Sequence, residues 1–343
     1  MKEKALVVCP GRGTYNATEL GYLTRHHANA GAFISRMDAI RREAGQVPIS
    51  ELDSAEKYSP SVHMTGDNAS LLIYACALAD FAAIDRERFD VVAVTGNSMG
   101  WYLALACAGV LDLDAGGRLV NTMGRMMHEH GHGGQIVWPV VDADWRIVAS
   151  KRQLVDELLQ QARNEGLQVY TSIELGGMIV FAADDTGLKW LGERLPKDDR
   201  FPMRLMHHAA FHSPLLDHIV PMAQAANPLN DFGNGAIAAV DGIGRIWSPK
   251  AFDPKDIYGY TLGQQINRTY DFSRAVQVAA AEYAPDRIIV LGPGTTLGAP
   301  VAQALIAANW RGLSGKADFQ ARQAVDPFIL SMGLDDQRRI ATG

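Results

Sequence analysis

Cysteine is scarce in this 343-residue chain: Cys9, Cys76 and Cys107 are odd in number and far apart. That pattern fits neither a disulfide framework nor a zinc site, and it suits a reducing compartment. Long apolar runs are missing too, so no segment is expected to span a membrane. The opening Met1-Lys2-Glu3-Lys4 runs directly into Ala5-Leu6-Val7-Val8, too short a lead-in for a secretory signal, and a cytoplasmic chain is expected. Positive charge is not in excess. The net formal charge of −6 argues against bulk nucleic-acid binding, which needs a basic surface to displace phosphate counterions. Internal repeats and low-complexity stretches are absent. What remains is ordinary globular composition, 48% hydrophobic and 20% charged. The length implies one large domain with a sizeable insertion, or two domains.

Strand, glycine turn and helix alternate at both ends of the chain. Ala5–Cys9 reads as a short buried strand followed by the turn Pro10-Gly11-Arg12-Gly13, and Ala69–Ala83 has helical spacing. Asp90–Thr95 is a second buried strand and runs into Gly96-Asn97-Ser98-Met99-Gly100; Trp101–Ala108 and Asp114–Met127 then read as helices. Ile237–Val240 is strand-like and Phe272–Tyr283 helical. The strand Arg287–Leu291 ends at Gly292-Pro293-Gly294-Thr295-Thr296-Leu297-Gly298, which opens another helix. This is the pattern of a parallel α/β sheet. The middle changes rhythm: strand Gln135–Val141, helix Lys151–Asn164, strands Gln168–Glu174 and Met178–Ala182, helix Leu188–Leu195, strand Phe201–Met206. That β-α-β-β-α-β order is the split βαβ arrangement of ferredoxin-like domains. Residues 1–129 and 207–343 are therefore expected to form a large α/β domain, with 130–206 inserted as a small ferredoxin-like one. The last thirty residues or so show no clear period.

Gly96-x-Ser98-x-Gly100 between a buried strand and a helix has the context of a nucleophile elbow. A tight strand-to-helix turn needs glycines where side chains would clash, and it pushes the serine hydroxyl out at the sheet edge. The following helix aims free N–H groups at the same spot, where they stabilise charge developing on a carbonyl oxygen. A serine needs a base, and ten histidines are available. His212, in Phe211-His212-Ser213-Pro214-Leu215, stands out because it follows the last strand of the insert, where the chain re-enters the large domain. An ordinary α/β-hydrolase would place its histidine near the C-terminus, and no histidine follows His218.

The run Gly96-Asn97-Ser98-Met99-Gly100-Trp101-Tyr102-Leu103-Ala104-Leu105-Ala106-Cys107-Ala108-Gly109-Val110-Leu111-Asp112 resembles the nucleophile segment of malonyl-CoA:acyl carrier protein transacylases and of the acyltransferase domains of fatty-acid and polyketide synthases. Three further stretches agree in order: Pro10-Gly11-Arg12-Gly13 with the family's N-terminal loop, Ala210–Leu215 with its histidine segment, and Leu291–Gly294 with Leu297 with its C-terminal glycine turn. The resemblance implies a hydrolase-like large domain, a ferredoxin-like insert and a ping-pong mechanism without a catalytic carboxylate. Ser98 would attack an acyl-CoA thioester while His212 takes its proton, and the acyl group would pass to the phosphopantetheine thiol of an acyl carrier protein. It further implies an oxyanion hole from the backbone N–H groups of Met99 and Arg12, and a main-chain carbonyl at Gln264 orienting His212. No bound cofactor or metal is implied; acyl-CoA enters as substrate.

Malonyl-specific members hold the substrate carboxylate with an arginine at the position of Met123. Arg125 is two residues on, which on a helix points about 200° away. A thioether cannot replace a bidentate arginine–carboxylate pair, and an unpaired buried carboxylate there costs about 2–5 kcal/mol. The acyl group is therefore expected to be neutral, acetyl or a longer apolar chain. Two readings compete: Arg12, which replaces the family's loop glutamine, could supply the missing charge, or it could be a solvated loop residue or a contact for cofactor phosphates. Hydrolysis of acyl groups from carrier proteins would use the same residues as transfer. Asn97 and Trp101 depart from the family's usual histidine and glutamate; Trp101 either lines the acyl site or packs against the insert, and Phe211 favours a short chain. A non-enzymatic scaffold that only binds a carrier protein is a further alternative. His128-Glu129-His130-Gly131-His132 reads as structural or surface rather than metal-binding. The Gly292–Gly298 turn lacks the lysine of a P-loop.

Overall fold

Every residue of Ala5–Cys9 is inaccessible to solvent, so this strand must be covered on both faces, and it lies in the middle of the larger sheet. The computed structural model describes residues 1–343. Six strands form that sheet in the order Ile329–Ser331, Arg287–Val290, Glu3–Cys9, Phe89–Gly96, Ala238–Val240 and Ile246–Trp247. All neighbours pair parallel except the last, a two-residue antiparallel edge. The register sets Cys9 against Gly96 and Val8 against both Thr95 and Val290. The three central strands therefore stop at one edge, and the loops at 10–14, 97–99 and 292–298 emerge together there.

Helix Gly66–Ala83 is apolar on all sides and runs through the core. Helix Leu113–His130 starts where the Asp112 side chain accepts from the amides of Asp114 and Ala115. The two helices lie in close contact: a Cβ at Gly124 would fall 2.6 Å from the Gly66 carbonyl oxygen. No helix is long and apolar enough to cross a membrane.

The second sheet runs Met203–Leu205, Gly134–Pro139, Met178–Ala183, Val169–Leu175, in the 4-1-3-2 order of a split βαβ unit. Helices Ala149–Asn164 and Asp185–Arg194 cover one face. The latter begins earlier than its hydrophobic period shows because the Asp184 carboxylate caps the Gly187 amide at 2.7 Å. Strand alternation divides the side chains: Ile136, Trp138 and Phe181 pack under these helices, while Val137, Ile173 and Val180 face the other way and join the main core. A fifth strand, Tyr270–Asp271, comes from beyond the insert and pairs with Val169–Leu175, stitching the small sheet to the rest.

The aperiodic C-terminal residues are structured. Ile329–Ser331 is the sheet's parallel edge strand, and helices Lys316–Val325 and Asp335–Thr342 flank it. Arg338 on the last helix reaches a buried polar cluster centred on Asp80, which is wholly buried. The Asp80 carboxylate accepts from Arg338 Nη2 (2.8 Å), Tyr22 Oη (2.7 Å) and the Gly292 amide (2.7 Å), and meets His27 Nε2 at 2.7 Å. The Gly292 turn is thus tied to the C-terminal helix.

Candidate active site

At the elbow, Ser98 has φ of 57°, a left-handed backbone that costs a non-glycine residue about 1–3 kcal/mol and is held only where its surroundings dictate it. The surroundings are steric. A Cβ on Gly96 would collide with the Gly100 carbonyl, and one on Gly100 with the Cys9 carbonyl. Both glycines of the motif are required for strand, turn and helix to approach this closely. The amides of Gly100 and Trp101 are used within the turn, bonding to Asn97 O (2.8 Å) and Ser98 O (3.0 Å). The Met99 and Arg12 amides donate to no protein acceptor.

The fold brings His212 to Ser98, with Nε2 2.7 Å from the Ser98 hydroxyl. His212 also has a left-handed backbone, φ 54°, and is 4% exposed. Its Nδ1–H donates to the Gln265 carbonyl at 2.6 Å. A carbonyl only accepts, so Nδ1 carries the proton and Nε2 presents its lone pair to the serine. Burial pushes the imidazole down to about 4, against the opposing hydrogen bond from Gln265. No carboxylate takes part.

The orienting carbonyl is that of Gln265, not Gln264. Residues Tyr260–Gln264 form a single π-helical turn, with Leu262 outside helical dihedral angles. The wider turn shifts every following carbonyl relative to an α-helical count, which a sequence pattern does not register. The Gln265 side chain also matters, donating from Nε2 to Ser98 O at 3.1 Å and accepting from Tyr102 Oη at 2.7 Å. Tyr102 lies one helical turn beyond Ser98, a spacing that could have marked it. Tyr270 gave no such signal; its hydroxyl donates to the Gly96 carbonyl at 2.6 Å and its ring lies 5.3 Å from that of His212. Tyr102→Phe would leave the Gln265 oxygen buried without a donor. It is expected to destabilise the fold by about 1–3 kcal/mol, read as a lower urea midpoint.

Two cavities meet at Ser98. The first, of about 50 Å³, is walled by Val120, Met123, Met127, Phe211 and Arg12. The second, of about 330 Å³, lies against the small sheet; Asn97, His208, Val137, Met178 and Val180 line it. Met123 and Phe211 therefore stand at the expected pocket, while Asn97 borders the wider cleft instead. Trp101 lines neither cavity. It is wholly buried, its indole N–H donates to Thr261 Oγ1 at 2.9 Å, and it packs edge-on against Tyr260. The helix that starts at Gly100 turns this side chain inward toward the π-helical turn, not toward either cavity or the insert.

Arg12 lines both cavities. Its Nη2 donates to the carbonyls of Met64 (3.0 Å) and His207 (2.9 Å), its guanidinium lies 5.5 Å from the Phe211 ring centre, and its buried Nε has no partner. Burial lowers it to about 10, with Asp67 opposing, so it stays charged at neutral pH. At the chain's histidine-rich segment, His132 stacks on His218 and His218 bonds the His130 carbonyl. No three side chains capable of holding a metal converge anywhere.

Solved structures share this architecture. The malonyl-CoA:ACP transacylase of Synechocystis sp. PCC 6803 superposes with a TM-score of 0.73 at 17% identity, covering 99% of this chain and 100% of that one. The fold is that of the transacylases. The malonyl-CoA:acyl carrier protein transacylase FabD of Xanthomonas oryzae pv. oryzae gives 0.75 at 19% identity, over 100% of this chain and 98% of that one. The malonyl-transacylase of a type II polyketide synthase, solved with its acyl carrier protein, gives 0.72 at 17% identity over 99% of each chain. A curated relative is the phenolphthiocerol synthesis polyketide synthase type I Pks15/1 of Mycobacterium marinum, 25% identical over 261 residues. That match covers 70% of this chain, but only 11% of the relative's length. No family model matches the chain. On the transacylase fold, Ser98 and His212 sit where the loops of the parallel strands converge.

Proposed function

We propose that the protein is a serine acyltransferase that moves a short, neutral acyl group from acyl-CoA to the phosphopantetheine thiol of an acyl carrier protein. The observation that carries this reading is the 2.7 Å contact between a strained, elbow-borne serine and a neutral imidazole. His212 Nε2 takes the hydroxyl proton as Ser98 Oγ attacks the thioester carbon. The Met99 and Arg12 amides receive the oxyanion, the carbon–sulfur bond breaks, and the thiolate leaves with the proton from His212. In the second half the carrier thiol gives its proton to His212 and attacks the acyl-serine carbon. The carbon–oxygen bond then breaks and Ser98 regains the proton. The transacylase fold and the polyketide synthase relative support acyl transfer to a carrier protein.

The acyl specificity rests on the small cavity. Met123, Met127, Val120 and Phe211 offer no hydrogen bond, and about 50 Å³ holds roughly four water-sized groups, the scale of acetyl or propionyl. A second reading is favoured by Arg12: Nη1 has no protein partner, and the guanidinium borders the same cavity, so it could hold the carboxylate of a malonyl group. Separate incubation with malonyl-CoA, acetyl-CoA and octanoyl-CoA, followed by intact mass, decides between them, with Ser98→Ala as the blank. An acetyl adduct without a malonyl adduct is expected. A malonyl adduct that Arg12→Gln abolishes would overturn the neutral pocket, and no adduct at all would overturn acyl transfer from CoA. Appearance of free acid with no carrier-bound product would make the reaction a hydrolysis.

The base sets the pH dependence. An imidazole pushed down to about 4 is neutral through the physiological range, so the rate of Ser98 acylation is expected to be flat from about pH 5.5 to 8. Below pH 4 it should fall about tenfold per unit. An inflection near the ordinary imidazole value would show that His212 titrates in open solvent and is not the buried base.

A further inference from the structure

The peptide bond between Phe211 and His212 is gripped at both ends, by groups from two parts of the fold. Its carbonyl oxygen accepts from Ser172 Oγ at 2.7 Å, and no backbone amide donates to it. Its N–H donates to the Ile266 carbonyl at 3.1 Å. Ile266 follows Gln265, so consecutive carbonyls hold the His212 backbone and its ring Nδ1. The other grip belongs to the small sheet. The register of strand Val169–Leu175 slips by one residue between Thr171 and Ile173, which leaves Ser172 as the extra residue of a β-bulge. Beyond the bulge Ile173 joins the main core, and Ser172, wholly buried, reaches the histidine loop. A hydroxyl has one proton, and the Phe211 carbonyl takes it; the Ser172 oxygen then accepts from Gln135 Nε2 at 2.6 Å. Gln135, on strand Gly134–Pro139, is buried as well, so the direction of the Ser172 bond is set from behind.

Peptide groups are planar, so turning this one changes φ of His212 together with ψ of Phe211. His212 has φ 54°, a region that a non-glycine residue leaves for the extended one unless its surroundings hold it. We propose that Ser172 is a positioning residue for the base: its hydroxyl locks the 211–212 peptide plane and so holds His212 left-handed with Nε2 at the Ser98 oxygen. The inference rests on reading Ser98 and His212 as nucleophile and base. Without the hydroxyl, the Phe211 carbonyl and Gln135 Nε2 both lose a buried partner, and the plane is held by the Ile266 bond alone. The backbone is then free to turn toward the extended region, which carries Nε2 away from the serine. Tyr270 ties the same bulge to the base a second time: it pairs with Ile173, and its ring lies 5.3 Å from that of His212. Ser172 lines neither cavity and takes no proton; it acts through His212.

The test is the rate at which a fluorophosphonate labels Ser98, read by intact mass beside the acylation rate with acetyl-CoA. Ser172→Ala is expected to lower both rates about 10- to 100-fold, with the apparent affinity for acetyl-CoA unchanged. Ser172→Thr, which keeps the hydroxyl, should recover most of the loss. A merely structural role predicts the same fractional loss whatever residue stands at 212. The deciding comparison is therefore made in His212→Ala over long incubations: with no base left to position, adding Ser172→Ala should change the labelling rate less than about twofold. An equal fall in both backgrounds, a folded Ser172→Ala with wild-type rates, or a folded Ser172→Thr as slow as Ser172→Ala would overturn the positioning role while leaving acyl transfer standing. Ser98 that reacts with the fluorophosphonate in a Ser172-dependent way, yet takes no acetyl group from acetyl-CoA, would instead sink the acyltransferase reading and leave the positioning role in place.

Discussion

His212→Ala is expected to lower the rate of Ser98 acylation by acetyl-CoA about 10³–10⁴-fold, with little change in the apparent affinity for the thioester. An alkyl hydroxyl is a poor nucleophile until a base removes its proton, and no other base lies at the Ser98 oxygen. The histidine's other nitrogen is anchored to the Gln265 carbonyl at 2.6 Å, which fixes Nε2 toward the serine. The measurement is the single-turnover appearance of the acyl-enzyme by intact mass. The left-handed backbone at His212, φ 54°, is unfavourable for alanine as for histidine, and the melting temperature must be read in parallel. A folded variant that retains more than about one hundredth of the wild-type rate would remove His212 from the role of base.

The largest expected effect on stability belongs to Asp80→Ala, at about 3–5 kcal/mol. One carboxylate satisfies four groups: Arg338, Tyr22, His27 and the Gly292 amide. Its removal leaves a guanidinium that is 8% exposed without a counter-charge, and a backbone N–H without an acceptor. Surface pairs offer a contrast. Arg36 and Asp114 are 2.7 Å apart but half and one-third exposed, and losing that pair should cost under about 1 kcal/mol. The two variants together separate burial from charge pairing as the cause, by chemical denaturation. Asp80→Ala matching the surface variant would show that water reaches the cluster. Activity should fall as well, since the Gly292 turn lies against Thr14 and hence against the loop carrying the Arg12 amide.

The elbow was legible in the sequence because its requirement is local and steric: glycines two positions either side of a serine, between a strand and a helix, leave little else possible. The insert was legible because six elements in fixed order carry alternating and helical periods. Other features are set by distant packing and leave no periodic trace. Asp80 lies near the end of helix Gly66–Ala83, after a long apolar stretch, yet it is wholly buried, because the residue that compensates it, Arg338, lies on the last helix. The edge strand Ile329–Ser331 has three residues, too few for a pattern. Trp101 occupies a pocket-lining place in the motif, but its direction is decided by Thr261 and Tyr260. Met123 could be placed because Ala108-Gly109-Val110 and Arg118-Leu119-Val120 fix the register across the break between helices Gly100–Cys107 and Leu113–His130.

The π-helical turn at Tyr260–Gln264 places a constraint on chain length. Any residue supplies a main-chain carbonyl, so orienting His212 constrains the number of residues in that turn more tightly than their identity. Removing one residue would relax the turn to an α-helix and rotate the carbonyls that follow by about 100°, taking the acceptor away from Nδ1. A deletion in the turn therefore removes the acceptor from His212 directly, whereas a substitution there acts through its own side-chain contacts, as at Thr261 and Tyr260, which hold Trp101.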